Sequence, residues 1–222
     1  MIIDCGMSWK YLSSAFRQYK LDYQRADALL ISHQHSDHIA QIGHFSDLKK
    51  YTVFALLDSE RIQFYQSFRI KDLEILPLAL SHDSPDTTGY LIKDEKTSLV
   101  YISDTGYLSA TNKSYLKNCN YYILESNHDE TMLLNTQRPF ILKQRIMFSN
   151  GHLSNLDCAA NLSELIGSKT REIVLAHLSQ EANNPEVALS TLKEVLKVNQ
   201  VNYSKIRLQA AAQEAVCTGG SI

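Results

Sequence analysis

The chain has 222 residues, 44% of them hydrophobic, with 22 basic against 24 acidic side chains and a formal charge of −2. That is enough apolar material for one well-buried domain, and the near balance of charge excludes a bulk pull toward nucleic acid or membrane, though not a local basic groove. No run approaches the roughly 20 apolar residues of a membrane span and no basic-then-apolar leader opens the chain; Cys5, Cys119, Cys158 and Cys217 form no C-x-x-C pair, so a reduced cytoplasmic protein without disulfides is expected.

In chain order, MIID predicts a first strand, and residues 9 to 19, with Trp9, Leu12 and Phe16 on one stripe, predict a helix. ALLIS, TVFAL, LEILPLAL, TGYLIK and SLVYIS read as further strands, with DEKT between the last two as a hairpin loop. YYILES is the next strand. Ser154 opens a helix with Asp157 as its capping partner and Gly167 as its stop. EIVLAH returns to strand. Asn184 and Pro185 then open a helix carrying Ala188, Leu189, Leu192, Val195 and Leu196 on one face, and SKIRLQ closes the series. No internal repeat or linker interrupts it, so residues 1–222 are expected to form a single domain. Hairpin-joined strands with helices between them predict mixed sheets with helices outside, rather than a doubly wound fold.

The chemistry concentrates in ISHQHSDHIA, where three of eight histidines and an aspartate share six positions. In an extended segment His33 and His35 point to the same side, because side chains repeat with period two. Asp37 and His38 fall where the chain turns into a helix and face a second point, so one motif offers two ligands to each of two metals. Imidazole and carboxylate suit zinc, with manganese and iron also accommodated. Further titratable residues recur at strand ends: His82, Asp104 and His177. Strand ends on one rim converge on a single cleft. No G-x-S-x-G elbow is present, and a metal-generated nucleophile makes one unnecessary.

H-x-H-x-D-H after a strand resembles the metallo-β-lactamase superfamily. IDCG, SHDSPDTTGY, SDTGY, ESNHD, NGHLSN and LAHLS, in that order, narrow the likeness to the small bacterial metallo-hydrolases of the YycJ/WalJ type over essentially the whole chain. The resemblance implies an α/β (α+β) fold, an αββα sandwich with a site for two divalent ions, zinc or manganese, between the sheet edges. His33 and His35 would join His82 on the first ion; Asp37 and His38 would join His177 on the second; Asp104 would bridge. Asp4 of IDCG would brace the histidine loop. Two dications set against Asp37, Asp104 and a bridging hydroxide leave the site positive, which suits a phosphodiester and its transition state.

The resemblance points to phosphodiesterases and exonucleases, so a phosphodiester of DNA or RNA is the expected substrate. Esters, lactones or thioesters are the alternative. His152, just before the helix cap Ser154, is placed to meet a phosphate or protonate the leaving oxygen, and with Asp37 it forms the catalytic set. Glu125 and His128 of ESNHD line the cleft, by bracing ligands or in a structural role. Arg138, Lys143, Arg145, Lys49, Lys50, Arg61 and Arg69 are candidates for a phosphate groove. The family pattern also implies two strands and a turn before IDCG. Met1 enters that strand directly, so the sandwich is expected to lack its first hairpin, which opens a further alternative: a metal-binding protein of weak activity.

Overall fold

In the computed structural model, which describes residues 1–213 and 215–220, the chain gathers into two compact units. The first comprises Met1–Ala79 and Ser84–Thr88, the second Leu80–Asp83 and Gly89–Ile222.

In the first unit, β1 (Ile2–Ile3), β2 (Leu29–Leu30), β3 (Lys50–Thr52) and β4 (Ser59–Arg61) form a four-stranded sheet in that order, every pairing parallel. Parallel neighbours need crossover segments. Helix α1 (Trp9–Gln18) supplies the first, and helix α2 (Ser36–Ile39) with a 3₁₀ turn at Ile42–Phe45 supplies the second. Ser8 caps α1 by accepting the Tyr11 N–H. Trp9, Leu12 and Phe16 pack onto a cluster of Cys5, Leu29, Ile31, Phe45, Leu48 and Phe54, as the helical stripe requires. Strands β5 (Phe68–Ile70) and β6 (Leu73–Ala79) pair antiparallel in the same unit.

The second unit is organised on β7 (Thr88–Lys93), β8 (Ser98–Ile102), β9 (Tyr121–Glu125), β10 (Glu172–Ala176) and β11 (Arg207–Ala210), in the spatial order β11-β10-β9-β8-β7. β7 and β8 form the expected hairpin, its loop tied by Asp94 Oδ1, which accepts the N–H groups of Lys96 and Thr97 at 2.7 Å. From β8 to β11 the pairings are parallel. The carboxyl ends of β8, β9 and β10 therefore lie along one edge, and residues just beyond them share a rim. Helices α3 (Ala110–Leu116), α4 (Glu130–Asn135), α5 (Phe140–Met147), α6 (Asn155–Leu165) and α7 (Pro185–Val198) complete the unit. α6 packs on α7, burying Leu162, Leu165, Ala188, Leu192 and Leu196.

Mixed sheets with interspersed helices match the expectation from sequence. Three details differ. The TVFAL segment pairs earlier than read, at Lys50–Thr52, and Val53 and Phe54 are buried beyond the strand. β4 and β5 were not anticipated, each being only three residues long. Helices α3, α4 and α5 also went unread.

Candidate metal centre

In the first unit, β2 runs straight into Ser32 and His33. His35 takes the cap position of α2, so that Asp37 and His38 fall in its single turn. The rings of His33 and His35 lie 4.7 Å apart between centroids, and those of His33 and His38 4.0 Å. His33 and His38 are buried, whereas Asp37 is exposed. Asp4 ties this loop together. One carboxylate oxygen accepts the Ser32 N–H at 2.8 Å, and the other meets both Ser32 Oγ and His38 Nδ1 at 2.8 Å. With Nδ1 engaged by Asp4, His38 turns Nε2 away from its brace, the tautomer and orientation that a metal-binding imidazole requires. Ser32 Oγ sits 3.0 Å from His33 Nδ1. Gly6 makes the arrangement possible, since a Cβ there would come within 1.5 Å of the Asp37 carbonyl oxygen. No other residue fits.

The second unit brings together His82, Asp104, Glu125, His152 and His177. Asp104 follows β8, Glu125 ends β9 and His177 follows β10, the shared rim of the parallel strands. Asp104 and His177 both adopt left-handed backbone, φ 59° and 56°, as does Asp4 at 57°. Conformations of this kind concentrate where side-chain direction matters more than backbone comfort.

Glu125 is the hub. Fully buried, it accepts the Thr105 N–H at 2.8 Å on Oε2, while Oε1 meets His152 Nδ1 at 2.6 Å and His177 Nδ1 at 2.8 Å. Burial alone would raise its pKa, but hydrogen bonds and charge from the two histidines outweigh it and hold Glu125 low. Burial correspondingly lowers the basicity of His152, and the hydrogen bond and charge of Glu125 reverse that, leaving His152 shifted upward. His177 then presents Nε2 at 3.4 Å from Asp104 Oδ1. His82 offers Nδ1 to the Gly151 carbonyl at 3.1 Å and points Nε2 toward Asp104 Oδ1 at 3.9 Å and Asp83 Oδ1 at 3.2 Å. Burial shifts His82 downward, favouring the neutral imidazole that binds metal. Ligand atoms of Asp104, Glu125, His152 and His177 all lie within 4.8 Å of one another. Imidazoles braced through Nδ1 around a carboxylate are a donor set that fits divalent ions.

His128 lies outside this ligand cluster, though it feels the charges of Glu125 and His152. It is buried, makes a backbone bridge with Ser154, and its Nδ1 has no hydrogen-bond partner among the described residues. His44, given no role from sequence, stacks flat on Trp9 with centroids 3.9 Å apart. The seven groove cations separate clearly. Lys143 donates to the carbonyls of Leu134 and Thr136, Lys50 to those of Ser46 and Leu48, and both are buried. Arg61 and Arg69 donate to carbonyls of Val53 and Asp72. Lys49 pairs with Glu60 and Arg138 with Glu181. Arg145 instead pairs with Asp83, beside His82. Ser32 and Asp83 were missed in the sequence, although each adjoins a histidine already singled out.

Residues 1–178 match the family described as "Beta-lactamase superfamily domain". The chain is 30% identical over 213 residues to the exodeoxyribonuclease YycJ of Bacillus anthracis, covering 89% of this chain and 81% of that one. Among solved structures it superposes on the metallo-β-lactamase fold protein YhfI of Bacillus subtilis with TM-score 0.64 and 20% identity, over 94% of this chain and 83% of that one. Zn²⁺-bound PqqB of Methylobacterium extorquens gives TM-score 0.63 at 13% identity, over 94% and 80%. With its braced histidines at strand ends and a match over most of its length, the chain belongs to the metallo-β-lactamase superfamily.

Proposed function

We propose that this protein is a two-metal hydrolase of phosphodiester bonds, acting as an exonuclease on nucleic acid in the cytoplasm. In this reading His33, His35 and His82 would hold one ion, Asp37, His38 and His177 the other, and Asp104 would contribute to both, with zinc or manganese as the metal. The observation that carries it is the Glu125 hub. A buried carboxylate clamps Nδ1 of two histidines and aims His177 Nε2 at Asp104, as metal ligands are aimed. The exodeoxyribonuclease relative supports nucleic acid as the substrate class, and the free thiols Cys5, Cys119, Cys158 and Cys217 support a reducing compartment.

When bound, the two ions would supply an activated water and charge neutralisation at the phosphate. The protein's own residues do the rest. The hydrogen bond and charge of Glu125 shift His152 upward and favour its protonated ring; with Nδ1 occupied by the carboxylate, Nε2 would offer the proton to a leaving oxygen. His177, whose Nε2 faces Asp104, takes the ligand role. Asp4 and Ser32 fix the His38 ring, and Asp37 contributes its exposed carboxylate. The test is metal-supplemented hydrolysis of bis(nitrophenyl) phosphate beside nitrophenyl acetate and an end-labelled oligonucleotide. Faster cleavage of both phosphodiesters than of the ester is the expected result; cleavage of the ester alone would overturn the proposal.

A further inference from the structure

α5 carries a feature that metal chemistry does not use. Phe140, Ile141, Met147 and Phe148 are exposed at and around its ends, with Phe148 58% accessible. Tyr107, in the turn three residues after Asp104, is 50% accessible. Large apolar side chains grouped in the open are uncommon on a soluble surface and mark contact sites.

Backbone packing brings the turns that carry Tyr107 and Phe148 together. A Cβ on Gly106 would lie 2.3 Å from the Ser149 carbonyl and 2.6 Å from the Phe148 carbonyl oxygen, so the two turns meet main chain to main chain. The Tyr107 turn is pinned from below. Thr105 gives its N–H to Glu125 and its hydroxyl to the Tyr107 carbonyl at 2.8 Å, and Gly106 donates to the Ser81 carbonyl at 2.8 Å. The Phe148 turn is pinned as well: Phe148 donates to Gln144, and Gly151 donates back to Phe148 at 2.7 Å. Four residues after Phe148 comes His152. Three before it comes Arg145, whose side chain is 63% exposed and whose guanidinium is held on Asp83, itself against His82 Nε2. Two turns with fixed backbone, each bearing an exposed aromatic, and one guanidinium thus lie next to residues proposed to hold and protonate the scissile group.

We infer that this rim, Tyr107, Phe148 and Arg145, cradles a single strand of nucleic acid as it leaves the hydrolytic site, the rings stacking on bases and the guanidinium meeting a phosphate. The inference rests on the phosphodiesterase reading for the catalytic end of the strand. Composition chooses the occupant: flat aromatics interleaved with a cation match alternating bases and phosphates, and only unstacked bases present their faces. Asp83 holds Arg145 until a phosphate, a better bidentate partner in that position, replaces it.

Binding of a fluorescein-labelled, phosphorothioate-linked oligothymidylate to the metal-loaded full chain, followed by anisotropy, tests this. Phe148→Ala and Tyr107→Ala should each weaken binding about tenfold, as loss of one stacking platform does. Phe148→Trp should restore it. Arg145→Ala should weaken binding and flatten its salt dependence by roughly one phosphate contact. Leu57→Ala, exposed in the first unit, should change nothing. Alanine variants that bind within about twofold of wild type would overturn the proposal, as would equal or tighter binding of duplex. A dimer in sedimentation that Phe148→Ala dissociates, with strand affinity intact, would assign the face to a second copy and also overturn it. If the strand affinities fall as stated but wild type hydrolyses no phosphodiester, the surface stands and the activity reading fails.

Discussion

Glu125 concentrates the chemistry in one carboxylate. Its two histidine partners are 27 and 52 residues away in sequence. That is why ESNHD marked the segment without disclosing what it touches, whereas H-x-H-x-D-H, complete within six positions, was legible outright. Glu125→Gln keeps the volume but removes the charge that orients both rings. Metal affinity and turnover should each fall about 10–100-fold, the usual effect of losing a ligand's brace, measured by competition with a chromogenic chelator and by initial rates. The two histidines it holds should fail differently. His177→Ala should lose metal and regain activity as the ion concentration rises. His152→Ala should keep its metal content and lose turnover by about 10²–10⁴-fold, less with a nitrophenolate leaving group that needs no proton. Loss of metal from His152→Ala with none from His177→Ala would reverse the two roles. Gly6→Ala tests the His33–His38 loop. Its Cβ would overlap the Asp37 carbonyl, so the loop must move, and destabilisation of about 3 kcal/mol or more should appear as a lower urea midpoint.

Elements were readable where local signals agreed. The Ser154 hydroxyl accepts the Asp157 N–H and donates to the Asp157 carboxylate, and Asn184 accepts the Val187 N–H ahead of Pro185, so α6 and α7 begin where their caps placed them. Ser154→Ala should cost about 1 kcal/mol, and for a chain of this size that is a fall of roughly 2–4 °C in Tm by calorimetry; an unchanged Tm would mean that the cap contributes nothing. β4 and β5 were hidden because three residues cannot display an alternation. α5 was hidden for a more useful reason. Phe140 and Ile141 face outward while Lys143 is buried, donating to two carbonyls of the preceding segment, so its apolar residues follow no single stripe. Local rules broken without a packing gain point to function, and here they point to the rim beside His152.

At the scale of the whole molecule, the ligands proposed for the two ions are scattered from His33 to His177, yet four of the histidines assigned to metal have Nδ1 engaged: His33 by Ser32 Oγ, His38 by Asp4, His82 by the Gly151 carbonyl and His177 by Glu125. Braces of this kind, present in each unit, are a costly way to hold histidines that bind nothing. Family membership was legible from the order of the motifs; the bracing network was not, since each bond joins segments distant in sequence. In the proposed mechanism, phosphodiester cleavage depends on two divalent ions held by this set. Titrating chelator-stripped protein with zinc or manganese while following bis(nitrophenyl) phosphate hydrolysis measures that dependence directly. No turnover is expected in the stripped protein, and the rate should rise to a plateau at two equivalents of metal per chain. Undiminished turnover without metal, or none at any metal concentration, would contradict it.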